Sequence, residues 1–277
     1  MKEANMLAKN ESIKQGATEG CFSMDLSSNA YHAEKGYLGT SGIKLLLQSP
    51  AHFKHYQRSE SPDMVIGTAL HMILLEPEKF LDTYAVYDGD KRGKQYTEFV
   101  EANTNKIIIK QDVMDKLSGM RNSVLSYPKL DMERVLREGK KEHSVFWEDP
   151  ETGVGLKARA DCLTGNVIFD LKKTLDCRPF KFIRRCVDLR YDIQSAHYKE
   201  GYRRFLGEDV RFMFIAIEDA APYGVWVHES SPTMEAKGEM DARRAINLYA
   251  RCQKEDRWPL YEEPYSEIDW PEWASIR

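Results

Sequence analysis

Between Ser144 and Lys173 the chain runs in short β-like stretches separated by turn residues. Ser144–Glu148 is the first stretch, Val154–Leu163 the second and Val167–Lys173 the third. Asp149-Pro150-Glu151-Thr152-Gly153 and Thr164-Gly165-Asn166 lie between them. Proline, glycine and asparagine between such stretches predict a β-meander. On either side the apolar period lengthens to that of a helix. Ile43, Leu45, Leu46 and Leu47 follow Ser41, which reads as an N-cap. Met64–Leu75 is apolar up to Pro77, and Val113, Leu117, Met120 and Val124 mark one face of Gln111–Tyr127. After the meander, Pro179–Val187 and Asp192–Leu206 read as helices, Val210–Ile217 and Gly224–His228 as strands, and Thr233–Gln253 as a long helix. This order predicts an α/β (α+β) fold, a mixed central β-sheet flanked by helices. No repeat or long linker divides the chain. Residues 31–277 are expected to form one domain behind a flexible segment, 1–30.

Composition narrows the class. The 277 residues are 42% hydrophobic and 30% charged, as in a globular protein able to bury a core. No apolar run approaches the roughly 18 residues of a membrane span, and the polar start lacks the apolar stretch of a signal peptide. The expected location is the cytoplasm. The five cysteines, Cys21, Cys162, Cys177, Cys186 and Cys252, form no CxxC, which speaks against zinc, an iron–sulfur cluster or a disulfide framework. A net charge of −4 argues against a protein that merely coats nucleic acid, but leaves room for an enzyme with one basic groove.

Candidate chemistry lies on the second and third strands. Alternation puts Asp170 and Lys172 on one face of the third strand, with Phe169 and Leu171 on the other. On the second strand Lys157, Arg159 and Asp161 share a face, and the turn after it makes the two strands antiparallel neighbours. A pairing across that hairpin brings two carboxylates and a lysine together. Two carboxylates suit Mg²⁺, which takes substrate phosphate in its other positions. Lys172 would position water or neutralise charge, and Lys157 and Arg159 would hold phosphates. The basic loop Lys91-Arg92-Lys94 is a second candidate for phosphate contact, and Glu142 an additional acid. Two pieces lie farther off: His71, on a helix four residues after Gly67, and Gln194 with Tyr198, which share a helix face at i, i+4. Taken singly, these features also read as solvated charges, a structural histidine and an ordinary amphipathic face.

Together, Gly67-x-x-x-His71, Asp161, Asp170-x-Lys172 and Gln194-x-x-x-Tyr198 resemble the RecB-like branch of the PD-(D/E)xK nuclease superfamily, and the RecE-type exonucleases (exonuclease VIII nuclease domain) most closely. The resemblance runs from about Tyr31 to the C-terminus and is weaker over residues 82–137. Ala160 stands where the motif's name has proline. The resemblance implies a PD-(D/E)xK restriction-endonuclease-like core. It implies that Asp161, Asp170, His71 and the Leu171 carbonyl bind Mg²⁺, with Mn²⁺ as a substitute. Lys172 would be catalytic, and Gln194 and Tyr198 would position DNA. Related lambda-type enzymes place a serine near the 5′-phosphate, a role that would fall to Ser41. The implied activity is a 5′→3′ exonuclease on double-stranded DNA ends, leaving 3′ overhangs for phage-type recombination. It implies a homo-oligomeric ring and a single-strand annealing protein as partner. An endonuclease or single-strand nuclease on the same core, and a non-catalytic DNA-binding protein, are the rival readings.

Overall fold

The computed structural model describes residues 14–57, 62–261 and 265–268. One seven-stranded sheet organises them. Its strands are β1 (Lys14–Gln15), β2 (Phe22–Met24), β5 (Lys140–Glu148), β6 (Gly155–Thr164), β7 (Val167–Thr174), β8 (Arg211–Glu218) and β9 (Val225–Glu229), adjacent in that order. Every neighbouring pair is antiparallel except β7 and β8. That parallel pair needs a crossover, supplied by α9 (Pro179–Asp188) and α10 (Tyr191–Leu206). The mixed sheet flanked by helices is the architecture expected from the sequence.

Two apolar cores cover the two faces. On the first, Leu156, Ala158, Ile168 and Phe214 pack with Ile43 and Leu46 of α2 (Thr40–Gln48), with α9 and α10, and with Ala245 of α11 (Pro232–Glu255). On the second, Phe169, Leu171 and Ile215 pack with Leu70 of α4 (Pro62–Leu75), Phe80 of α5 (Pro77–Thr83), Leu117 of α7 (Gln111–Leu125) and Met132 of α8 (Met132–Glu138). The short elements that alternation could not reveal are α1 (Ser28–Ala33), α3 (Pro50–His55), α6 (Lys94–Ala102) and a small parallel pair, β3 (Tyr84–Tyr87) with β4 (Ile107–Lys110).

One boundary expected from the sequence changes. Described residues before position 31 are part of the fold. β2 pairs with β5 through Phe22↔Phe146 and Met24↔Ser144, and Cys21 is buried. The stretch is polar overall, but a few well-placed apolar residues are enough to extend the sheet. Residues 1–13 lie outside the described residues.

Candidate active site

β7 is a regular strand. Ile168 faces the first core while Phe169 and Leu171 face the second. Asp170 is therefore directed to the same side as Ile168, at 1% exposure. Burying an isolated carboxylate is costly, and two side chains compensate. Lys172 forms an ion pair with it, and Gln194 Nε2 donates to Asp170 Oδ1 at 2.6 Å. Burial works against the Lys172 charge, but Asp170, Tyr191 and Asp161 together outweigh it and raise the ammonium pKa. Gln194 reaches Asp170 because α10 starts at a sharp bend. Arg190 takes a left-handed conformation (φ 53, ψ 51) there. Its guanidinium is held by Asp192 at 3.1 and 2.8 Å and by Asp241. One turn beyond Gln194, the Tyr198 ring meets Phe212 edge-on at 5.9 Å. Burial keeps its hydroxyl neutral, with a pKa raised well above 10.

β5 and β6 behave differently. Leu156, Ala158 and Ala160 pack in the first core, yet Cys162 packs in the second and Leu163 returns to the first. The side-chain alternation of β6 thus reverses at Asp161. On β5, Lys141 pairs with Cys162 and His143 with Ala160, and the intervening pair, Glu142 with Asp161, is absent from the ladder. Glu142 sits at φ 50, a left-handed conformation rare for a residue with a long side chain. The β6–β7 ladder consists of Cys162↔Phe169, Leu163↔Ile168 and Thr164↔Val167. Where it stops, Asp161 Oδ2 accepts the Leu171 N–H at 2.7 Å. A carboxylate replaces a backbone acceptor, and the strands diverge around it.

His71 approaches this gap from α4. Its Nε2 lies 3.1 Å from the Leu171 carbonyl and its Nδ1 3.5 Å from Asp161 Oδ2. The carbonyl can only accept, so Nε2 carries the proton, a tautomer assigned from the hydrogen bond. The Nδ1 lone pair then faces the carboxylates. Ligand atoms of His71, Glu142 and Asp161 all lie within 4.8 Å of one another. Burial, then the neighbouring Asp170, pushes the Asp161 carboxyl up to about 8. Burial and Asp161 raise Glu142 as well. Burial, then Lys172, holds His71 below the usual histidine range and so neutral. Crowded carboxyls that resist ionisation and a neutral imidazole are the donor set a divalent cation would stabilise. The residues fit such an ion.

The fold thus brings Asp161, Asp170, Lys172, His71, Gln194 and the Leu171 carbonyl to one place, and adds Glu142. It does not place Lys157 and Arg159 as an open basic lining. Lys157 is 7% exposed and donates to the carbonyls of Tyr31 (2.7 Å) and Glu34 (2.6 Å). Arg159 donates to Glu142 Oε2 at 2.6 Å and the Leu26 carbonyl at 3.0 Å. Both cations satisfy internal acceptors. Ser41 is not the N-cap. Gly39 holds that position, and Ser41, in the first turn, is exposed beside a cavity of about 570 Å³ that Tyr31, Tyr37, Lys157 and Tyr198 also line. The loop with Lys91 and Arg92 is exposed, and Lys94 begins α6.

A family described as a PDDEXK-like domain of unknown function (DUF3799) matches residues 39–267. The chain belongs to that family. The resemblance read from the Asp170-x-Lys172 strand and its companions is thus borne out at the level of the family. No curated protein sequence matches the chain. Among solved structures, the PDDEXK-like chain is similar to a candidate exonuclease from Eubacterium rectale at 17% identity and a TM-score of 0.56, covering 88% of this chain and 97% of the other. Weaker similarity extends to an alkaline exonuclease from Laribacter hongkongensis (10% identity, 83% and 96% coverage, TM-score 0.33). A phage-related exonuclease from Haemophilus somnus gives 12% identity, 80% and 96% coverage and a TM-score of 0.32. At this identity the Eubacterium likeness establishes a shared fold.

Proposed function

We propose that the protein is an exodeoxyribonuclease that needs a divalent cation, Mg²⁺ with Mn²⁺ as a substitute, and degrades one strand of duplex DNA from its ends. The observation that carries this reading is the Asp170–Lys172 pair next to the crowded Asp161, Glu142 and His71. Those three and Asp170 would hold the cation, with the Leu171 carbonyl beside them. When bound, such an ion acidifies a coordinated water and offsets charge on the phosphate. Lys172, already anchored by Asp170, places its ammonium where negative charge develops on the phosphate oxygens. Gln194 fixes the Asp170 carboxylate and presents its remaining amide hydrogen to substrate. Tyr198, neutral throughout the working pH range, serves as a hydrogen-bond donor and a surface for the sugar or base. The first turn of α2 at Ser41 would take the phosphate of the strand end.

By resemblance the direction is 5′→3′, the product a 3′ overhang, and the setting recombination in phage or bacterial cytoplasm with an annealing partner and a DNA-encircling ring of subunits. Among the described residues no helix is long and apolar enough to cross a membrane. Digestion of linear duplex labelled at either 5′ or 3′ end, with Mg²⁺ and with EDTA, tests activity, metal need and direction together. Closed circular DNA separates the rivals. An exonuclease leaves it intact, whereas its cleavage would establish an endonuclease. Light scattering tests the ring, for which a particle of only 32.1 kDa would be the wrong answer.

A further inference from the structure

Cations near the catalytic carboxylates are mostly matched with acids. Lys172 has Asp170, Arg159 has Glu142, and Arg190 has Asp192 and Asp241. Lys44, like Lys157, is not so matched. It projects from the second turn of α2, which packs beside α10. Its Nζ donates to the Leu189 carbonyl at 2.6 Å and lies 5.6 Å from the centre of the Tyr191 ring. Lys172 Nζ lies 5.0 Å from the same ring. Two ammoniums therefore flank one aromatic ring. Among the described residues, one has a carboxylate partner and the other only a carbonyl and a π-face.

A partly buried ammonium without a counter-anion is costly, and an arriving anion relieves that cost. We propose that Lys44 is a DNA-binding residue of this site, holding a backbone phosphate adjacent to the one presented to Asp170 and Lys172. The inference rests on the nuclease reading for its ligand, but the contacts of Lys44 itself, with the Leu189 carbonyl and the Tyr191 ring, involve none of the residues that would hold the cation. The shared Tyr191 ring keeps the two ammoniums close, each less than 6 Å from its centre, so one strand could present successive phosphates to both. The carbonyl that Lys44 now engages sits in the Leu189–Arg190 bend at the start of α10. A phosphate taking over that ammonium would be sensed at the helix that carries Gln194 and Tyr198.

The electrostatic setting gives the proposal a signature of its own. Burial, then the Lys172 charge, lowers Lys44 to about 8. The groups facing it are Lys172 and Asp170 on β7, and Arg190, Tyr191 and Asp192 at the start of α10. A phosphate contact favours the charged form. DNA binding should then take up a proton and weaken as pH rises above about 8.

The test is fluorescence anisotropy of a short labelled duplex in EDTA, where no hydrolysis occurs, over a salt series and from pH 7 to about 9.5. Wild type, Lys44→Met and Lys44→Arg are compared. Lys44→Met should weaken binding about tenfold and lower the slope of log affinity against log salt by about one. It should also reduce the weakening above pH 8. Lys44→Arg should keep the salt slope and show the same reduced pH dependence, because guanidinium does not titrate in this range. An unchanged salt slope and pH profile in Lys44→Met would overturn the proposal and leave Lys44 as a structural anchor of the bend, whatever happens to stability. If wild-type protein binds DNA with this signature but degrades none with any divalent cation, the nuclease reading falls and the Lys44 contact stands. If it binds no DNA, both fall.

Discussion

The two strands that carry Asp161 and Asp170 present them by opposite means. β7 is regular: alternation alone directs Asp170 and Lys172 to one face, and each stabilises the other there. β6, across the hairpin, reverses its alternation at Asp161, and β5 bends through a left-handed Glu142 at the same level. The regular strand supplies a preformed ion pair. The irregular pair supplies a gap, lined by acids that would repel one another if both were ionised. The ion pair is thus held by ordinary strand geometry, and the gap beside it is made by breaking that geometry.

The comparison can be broken most sharply at β7. Asp170→Asn and Lys172→Met should each lower the rate of DNA cleavage by on the order of 10² or more while leaving the melting transition cooperative. Near-normal turnover in either would move the chemistry elsewhere. On the irregular side the signature is a proton. A carboxyl held at about 8 in the folded chain, against 3.8 ordinarily, binds more protons folded than unfolded between those values. The metal-free fold should therefore lose stability as pH rises from about 4 to 8. Cation binding requires the ionised form, so metal affinity should climb about tenfold per pH unit up to about 8, with release of a proton. Calorimetry in buffers of different ionisation enthalpy measures that release. Asp161→Asn should abolish it and flatten the stability profile. A wild-type protein whose cation binding releases no proton at pH 7 would contradict the crowded-acid description.

Smaller effects sharpen the same contrast. Arg159→Met strands the Glu142 carboxylate and should cost about 2 kcal/mol of stability, read from denaturant titration. It should leave the salt slope of DNA binding unchanged, since Arg159 is committed to Glu142 and the Leu26 carbonyl. A flatter slope would return Arg159 to the DNA. The smallest effect is at Glu142 itself. Glycine suits a left-handed conformation and glutamine does not, so Glu142→Gly should be about 1 kcal/mol more stable than Glu142→Gln. At a regular strand position such as Lys140, glycine should instead be the worse of the two.

Much of this was legible in the chain. The meander, the crossover helices and the long C-terminal helix follow from apolar periodicity, and Asp170 with Lys172 from a period of two. Asp161, His71, Gln194 and Tyr198 were legible only as spaced motifs, whose convergence needs the fold. Glu142 gave a fainter signal, an acid within the basic run Lys140-Lys141-Glu142-His143. Lys44 gave none, because one lysine in an amphipathic helix looks like any solvated residue until its neighbours are known. The tail divides in the same way. Trp258 folds back onto the core, stacked on Phe53 at 5.8 Å and edge-on to Tyr249 at 6.0 Å. Trp270 and Trp273 lie outside the described residues.

By itself the sequence determined the order of the elements, the regular strand and its ion pair, because periodicity and turn chemistry act over a few residues and are written locally. The tertiary structure decided the rest. Whether Lys157 and Arg159 meet solvent or carbonyls, and what holds Lys44, depend on residues more than a hundred positions away: Tyr31 and Leu26 for the first two, Leu189 for Lys44. Charge compensation is a property of the assembled neighbourhood. A strand pattern shows which way a side chain is directed, and only the packed fold shows what waits there to satisfy it.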